Sequence, residues 1–355
     1  MIIDVHVHAF PHQGSAAGYK DAKTHLMRQQ RFVETFWGRL VSSTFDEKYK
    51  PRPGEDIDFR VGKYGRSYWT KHGKECWIQR FPTIMAEVEW PPEQMIAFMD
   101  AEGVDKGVLQ SFGYMEINYN RKYFVDCVKR WPDRFIGTVT IDYDIEKSEE
   151  YRQGELKKLR DSVLNDGMRG VFQGYPREQR ADDSRLQPFW TEMSNLGLPH
   201  FFHTGFMPKQ RYLDSIQWIT RVLEKFPDVN GIIGHLGGNI KPPSDPDYTD
   251  TPSELLNLLR LPNVYFEVGY VVAYENWAVW KENYEYPYPL HTKLIKRIYD
   301  EVGAERLLLG SDMPFPYRTC TYKQCLDLIR LHFDFLNKEE KDLVLGGNAA
   351  KLFRV

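Results

Sequence analysis

No stretch of this sequence approaches the roughly 18 consecutive apolar residues of a membrane span, so no membrane partner is expected. Charge of one sign is also scarce. Lys and Arg number 47 against 50 Asp and Glu, a formal net charge of −3, and so near a balance argues against nucleic acid or an anionic membrane surface as the main partner. Cysteine is sparse: Cys76, Cys127, Cys320 and Cys325 are the four in 355 residues, and none forms a C-x-x-C pair. Such a count at such spacings reads as free thiols in a reducing compartment, and the expected location is the cytoplasm. The first residues show no basic head, apolar core and cleavage site, so no secretory signal is expected. What the chain does have is apolar bulk, 42% hydrophobic and 14% aromatic residues. That is enough for one large α/β domain or two smaller ones.

Eight short β-branched runs end in polar or glycine residues and are followed by helical stretches. They are IIDVHVH (2–8), KGVLQSFG (106–113), RFIGTVTID (134–142), MRGVFQG (168–174), LPHFFHTG (198–205), VNGIIGHLGG (229–238), NVYFEVG (263–269) and RLLLGSDMPF (306–315). Alternation of strand and helix implies parallel pairing, and eight such units are the number that closes a (β/α)8 TIM barrel. A doubly wound open sheet would carry a glycine-rich phosphate turn after its first strand, where this chain has HVHAF. The expected organisation is therefore a single barrel domain over 1–355, interrupted by a long insertion at 9–90. The insertion is rich in Tyr, Trp, Phe, Gly and Arg, too aromatic for a disordered tract. It is expected to form local helices and to serve as a lid or subunit contact.

In a strand, residues two apart share a face, so His6 and His8 are expected on one side of the first strand and Val5 and Val7 on the other. An H-x-H pattern alone arises easily by chance. Here His203 ends the fifth run, His235 the sixth and Asp312 the eighth. All lie at the C-terminal edges of their strands, where barrel active sites assemble. Neutral imidazoles suit zinc, manganese or iron, and a buried carboxylate there needs a compensating charge. The constellation predicts a metal site.

The pieces DVHVH, FFHTG, GHLGG, GSDMPFP and the C-terminal GGNAAKLF together resemble the amidohydrolase superfamily. More narrowly they resemble its branch of aminocarboxymuconate-semialdehyde and resorcylate-type decarboxylases. The resemblance runs from residue 2 to about residue 353 and is weakest in the insertion. It implies that His6, His8, His203 and Asp312 ligate a metal, with His235 beside it as a catalytic or second base; holding the GHLGG turn is the other role open to His235. Many superfamily members bridge two metals with a lysine at the fourth strand. Here that strand carries Gln173, and no lysine occurs between Lys158 and Lys209. One divalent ion is expected, zinc first and manganese second, with a glutamate bridge left open.

Such a site supports hydrolysis or hydration, in which a metal lowers the pKa of water and Asp312 or His235 manages the proton. It also supports loss of carbon dioxide from a metal-clamped carboxylate, and the resemblance favours this second chemistry. The expected protein is a metal-dependent decarboxylase of an aromatic or unsaturated carboxylic acid, with a hydrolase or hydratase as the alternative. Phe10, Trp69, Tyr175, Phe206 and Phe315 are candidate apolar walls, and Arg52, Arg60, Arg66 and Arg318 candidate anion binders. The expected partners are a small carboxylic acid and, by resemblance, a second copy in a homodimer.

Overall fold

The computed structural model describes residues 1–35, 37–38, 40–113, 115–176, 178–204, 208–237, 251–269, 286–318 and 320–355. Strand β1 is Ile3–Val7. The insertion supplies β2 (Arg60–Val61), β3 (Arg66–Lys71) and β4 (Lys74–Gln79). The barrel continues with β5 (Lys106–Leu109), β6 (Phe135–Thr140), β7 (Gly170–Gln173) and β8 (His200–Phe202). It ends with β9 (Gly231–Ile233), β10 (Val264–Glu267) and β11 (Leu307–Leu308). The eight barrel strands lie in the order β1-β5-β6-β7-β8-β9-β10-β11, each paired in parallel with the next. Closure comes from the ends: Val5 N donates to Leu309 O and His8 N to Met313 O, both at 2.8 Å. The chain is a (β/α)8 barrel, and each of the eight sequence runs contains one of its strands.

The interior is legible from its packing. Ile3, Val5, Val108, Ile136, Phe201, Ile232 and Leu308 form one buried cluster with Phe172 and Tyr265 against it. A cluster that draws on all eight strands can only fill the barrel's inside. Ala349, Leu352 and Phe353 join it from the helix Asn348–Phe353, which plugs the lower end. Each such buried side chain stabilises the fold by about 1.5–3 kcal/mol. A second, larger cluster joins the outer strand faces to the helices. Those helices are bounded by ordinary signals. Pro92 opens Pro92–Glu102 and Gly103 closes it at φ 67°, a left-handed conformation that costs glycine nothing. Ser148 caps Glu149–Leu164 by accepting from Tyr151 N.

One expectation about β1 is corrected. Val5 belongs to the interior cluster and Val7 to the outer one, so they do not share a face. Asp4 pairs with Gly107 but Val7 with Leu109, three residues of β1 against two of β5. This bulge breaks the alternation, turning Asp4 outward and both His6 and His8 inward. Bulges re-aim side chains beside active sites in this way.

The insertion is pinched at its base, where Phe10 and Trp90 exchange backbone hydrogen bonds of 2.8 and 2.9 Å. Helices account for only part of it: Ala22–Thr35 is one, and β2, β3 and β4 make an antiparallel sheet. Val33, Leu40, Ile57, Trp69, Cys76 and Ile78 form its own small core.

Candidate metal centre

The C-terminal ends of β1 and β11 bring together His6, His8 and Asp312, all buried, with ligand atoms within 4.8 Å of one another. Asp312 Oδ1 lies 3.2 Å from His6 Nε2 and 2.7 Å from His8 Nε2. The far nitrogens are anchored. His6 Nδ1 is 3.1 Å from both carboxylate oxygens of Glu267, and His8 Nδ1 is 3.0 Å from the carbonyl of Gln110. Both partners are acceptors, so each Nδ1 carries a hydrogen and donates. In the neutral rings both Nε2 atoms are then bare lone pairs aimed at a carboxylate oxygen. Three such atoms repel unless a cation sits among them, and an imidazole whose far N–H is held by a carboxylate or carbonyl is the usual metal ligand.

The electrostatics say the same. Burial opposes charge on His6, yet Glu267 and then Asp312 outweigh it and push the imidazolium up to about 10. Burial would raise Asp312, but the His6 and His8 rings hold it well below the usual carboxylate range. The cluster demands positive charge, which a divalent ion supplies. The donor set of two imidazoles and a carboxylate therefore fits zinc.

His203 and His235 stand on the other side. Their ring centroids are 3.9 Å apart, and His235 is 5.0 Å from His6. His203 thus adjoins the group of three through His235 rather than lying within it. His235 N donates to Glu267 Oε2 at 3.2 Å, so Glu267 ties both halves together. Gly310 leaves room for it, since a Cβ there would come within 3.0 Å of the Glu267 side chain. His235 (φ 50°) and Asp312 (φ 60°) are held in the left-handed region. Non-glycine residues there cost of order 1–3 kcal/mol, and such strain clusters at functional sites.

Asp4 clips the first strand to the last. Its carboxylate accepts from His6 N and Ser311 N, each at 3.0 Å, from Ser311 Oγ, and from Tyr322 OH at 2.9 Å. Burial still pushes it up to about 6.

An aromatic wall adjoins His8. Phe315 and Phe112 stand 5.4 and 6.1 Å from its ring, and Phe10 stacks on Phe112 at 4.1 Å. Phe81, from the end of the insertion, packs on all three. Arg318 lies over Phe315 and donates to Arg80 O at 3.3 Å. Other candidates go elsewhere. Trp69 is buried in the insertion's own core with Nε1 on Tyr49 O at 2.8 Å, because β3 turns that face inward. Arg66 stacks over Trp77 at 4.0 Å and bonds Gln79, its neighbours across the hairpin. Arg52 and Arg60 pair with surface carboxylates, and Tyr175 packs against Trp190 and His200. Phe206 lies outside the described residues.

Sequence reasoning missed Gln110, Phe112, Phe81 and Arg80. Gln110 follows β5, and a polar residue at a strand exit was the available signal. Arg80 follows β4, where no barrel periodicity points to it. It is buried, with its guanidinium 5.0 Å from the Phe81 ring and Nη1 on Gln29 Oε1 at 2.7 Å.

A closed parallel barrel with histidines and an aspartate converging at the strand exits defines a metal-dependent enzyme scaffold. The sequence profile of the amidohydrolase family matches residues 3–355, and the chain belongs to that family. No curated protein matches it in sequence. Among solved structures it is similar to a probable 2-pyrone-4,6-dicarboxylic acid hydrolase from Acinetobacter baumannii with citric acid bound. Identity is 16%, coverage 100% of this chain and 99% of that one, and TM-score 0.60. It is similar to 2,6-dihydroxybenzoate decarboxylase complexed with 2,6-dihydroxybenzoate at 15% identity, covering 74% and 88% of the two chains with TM-score 0.51. An amidohydrolase from Burkholderia multivorans with bound zinc gives 15% identity, 75% and 89% coverage and TM-score 0.57. At these identities the likeness is one of fold. Among the described residues no helix is long and apolar enough to cross a membrane.

Proposed function

We propose that the chain is a non-oxidative decarboxylase of an aromatic or unsaturated carboxylic acid, working with one divalent ion, zinc or manganese, held by His6, His8, His203 and Asp312. The observation that carries this reading is the aromatic wall beside His8, with Phe112 and Phe315 directly against its ring and Phe10 stacked on Phe112. Such a wall suits a flat, conjugated substrate. Arg80 and Arg318 behind it supply cations for a carboxylate or phenolate. The 2,6-dihydroxybenzoate and 2-pyrone-4,6-dicarboxylic acid named for two structural relatives are both unsaturated carboxylic acids.

When bound, the ion supplies the positive charge that fixes a carboxylate and a neighbouring oxygen. His6 and His8, anchored through Nδ1, hold that position rigid. Asp312 takes up a proton from His235 once substrate occupies the site and gives it to the ring or alkene carbon bearing the carboxylate. The bond from that carbon to the carboxylate breaks, carbon dioxide leaves, and its electron pair restores the conjugated system. His235 faces the same space and is the donor of that proton, which leaves in the product's new C–H bond and which His235 regains from solvent between turnovers. The aromatic wall keeps bulk water from the reacting carbon.

A second reading, hydrolysis or hydration, has its own support. Asp312 is held ionised by the two imidazoles, and an ionised carboxylate is suited to accept a proton from water. Zinc-loaded protein offered hydroxybenzoates and muconate-type acids decides between them. Carbon dioxide release supports decarboxylation; consumption of lactones or amides without it supports the hydrolase. We also propose a homodimer, in which Val41, Phe45, Tyr64 and Ile84, exposed apolar residues of the insertion, are covered. Sedimentation at the monomer mass contradicts it.

A further inference from the structure

The thiols of Cys320 and Cys325 face each other with Sγ atoms 3.5 Å apart. They straddle a helix start: Cys320 precedes the N-cap Thr321, and Cys325 lies within Tyr322–Asp327. Both are buried, and Cys320, 7% exposed against 1%, is the less enclosed residue of the two. Neither the cation site nor the aromatic wall uses them. Their separation exceeds an S–S bond by only about 1.5 Å.

Between them in the chain stands Tyr322, fully buried, with its hydroxyl on Asp4 Oδ2 at 2.9 Å. Asp4 in turn holds the amides of His6, a member of the cation cluster, and of Ser311, which precedes Asp312 in the chain. Any pull on the helix start moves Tyr322, and Tyr322 is one of the groups that hold Asp4.

We propose that Cys320 and Cys325 are a dithiol that a hydroperoxide closes to a disulfide, and that closure draws Tyr322 off Asp4 and loosens the cation site. The Cys320 sulfur, as thiolate, attacks the terminal oxygen of the hydroperoxide. The O–O bond breaks, the alcohol (water, for hydrogen peroxide) leaves with the proton, and Cys320 becomes a sulfenic acid. The Cys325 sulfur then attacks the Cys320 sulfur, the S–O bond breaks, and water leaves with the Cys325 proton. Two electrons and two protons pass from the thiols to the peroxide. The hydrogen bond to Cys320 and then burial hold the Cys325 thiol well above its ordinary range, which suits the second, resolving role rather than the first.

The test uses the whole chain loaded with zinc, because the coupling rests on the cation site proposed above. The protein is treated with hydrogen peroxide and its thiols are alkylated and mapped, while zinc transfer to a chelator is timed. The expected result is loss of two of the four thiols as a Cys320–Cys325 cross-link, several-fold faster zinc release, and reversal of both by dithiothreitol. Cys320→Ser should abolish the cross-link and the peroxide effect while leaving basal zinc release unchanged. Tyr322→Phe should release zinc at the faster rate with no peroxide at all. Four intact thiols, or over-oxidation without a cross-link, overturn the dithiol. A cross-link without faster release overturns the coupling, as does a peroxide effect that survives Cys320→Ser. Protein that binds no zinc at the outset overturns the cation site and the coupling together, while the peptide map still decides the disulfide.

Discussion

The barrel mouth and the insertion are built by opposite means. At the mouth, the polar atoms of the site residues are held one by one: His6 by Glu267, His8 by Gln110 and the strand ends by Asp4, with Asp312 facing both rings across the cation site. In the insertion, stability comes from a small apolar core around Trp69, and among the described residues the segment reaches the site through its two ends, Phe10 at the start and Arg80 and Phe81 near the finish. The mouth is therefore a place where one atom matters. The insertion is a place where bulk matters, and its interior should be changeable without touching the cation.

The sharpest break of that contrast is Asp312→Asn. Loss of the ionisable carboxyl should cut turnover by about 10³-fold, within the range for removing a proton-transfer group, with the fold and much of the bound zinc retained. An active Asn variant contradicts the proton-transfer role. Next, His6→Ala with His8→Ala should strip the protein of zinc by elemental analysis; full occupancy shows that they are not ligands. Glu267→Gln acts one step removed and should weaken zinc about 10–100-fold, read by competition with a chelator. Trp69→Ala probes the other region. It should cost about 3–5 kcal/mol locally, seen as faster hydrogen exchange in β3 and β4, with zinc affinity unchanged; a fall in affinity erases the distinction.

The most gradual effect concerns pH. Burial among aromatic rings lowers His200 from 6.5 to about 3. An unfolded chain takes up that proton first, so the stability gained from neutral His200 is complete above pH 6.5 and declines as pH falls towards 3. The slope is at most about 1.4 kcal/mol per pH unit. His200→Phe should flatten it, and an unaltered acid-unfolding profile contradicts the assignment.

The sequence made the barrel legible because its strands are short apolar runs with abrupt polar exits, and the exits are where His8, His203, His235 and Asp312 stand. It did not reveal the bulge in β1, since pairing register depends on β5, a hundred residues away. Nor did it reveal the β-sheet of the insertion. There Trp69 and Arg66 share the composition of a pocket lining, yet the hairpin turns one into a core and the other onto Trp77. Arg80 was hidden for the same reason: nothing local distinguishes a buried arginine from a solvated one.

Asp312 lies 304 residues beyond His8, on the strand that closes the barrel against the strand it began with. A growing polypeptide on the ribosome thus carries two imidazoles through 304 residues of synthesis before Asp312 exists. On the function proposed above, ion capture at this cluster waits until the last barrel strand has docked against the first, so a cell short of the ion should accumulate closed but inactive barrels rather than unfinished ones.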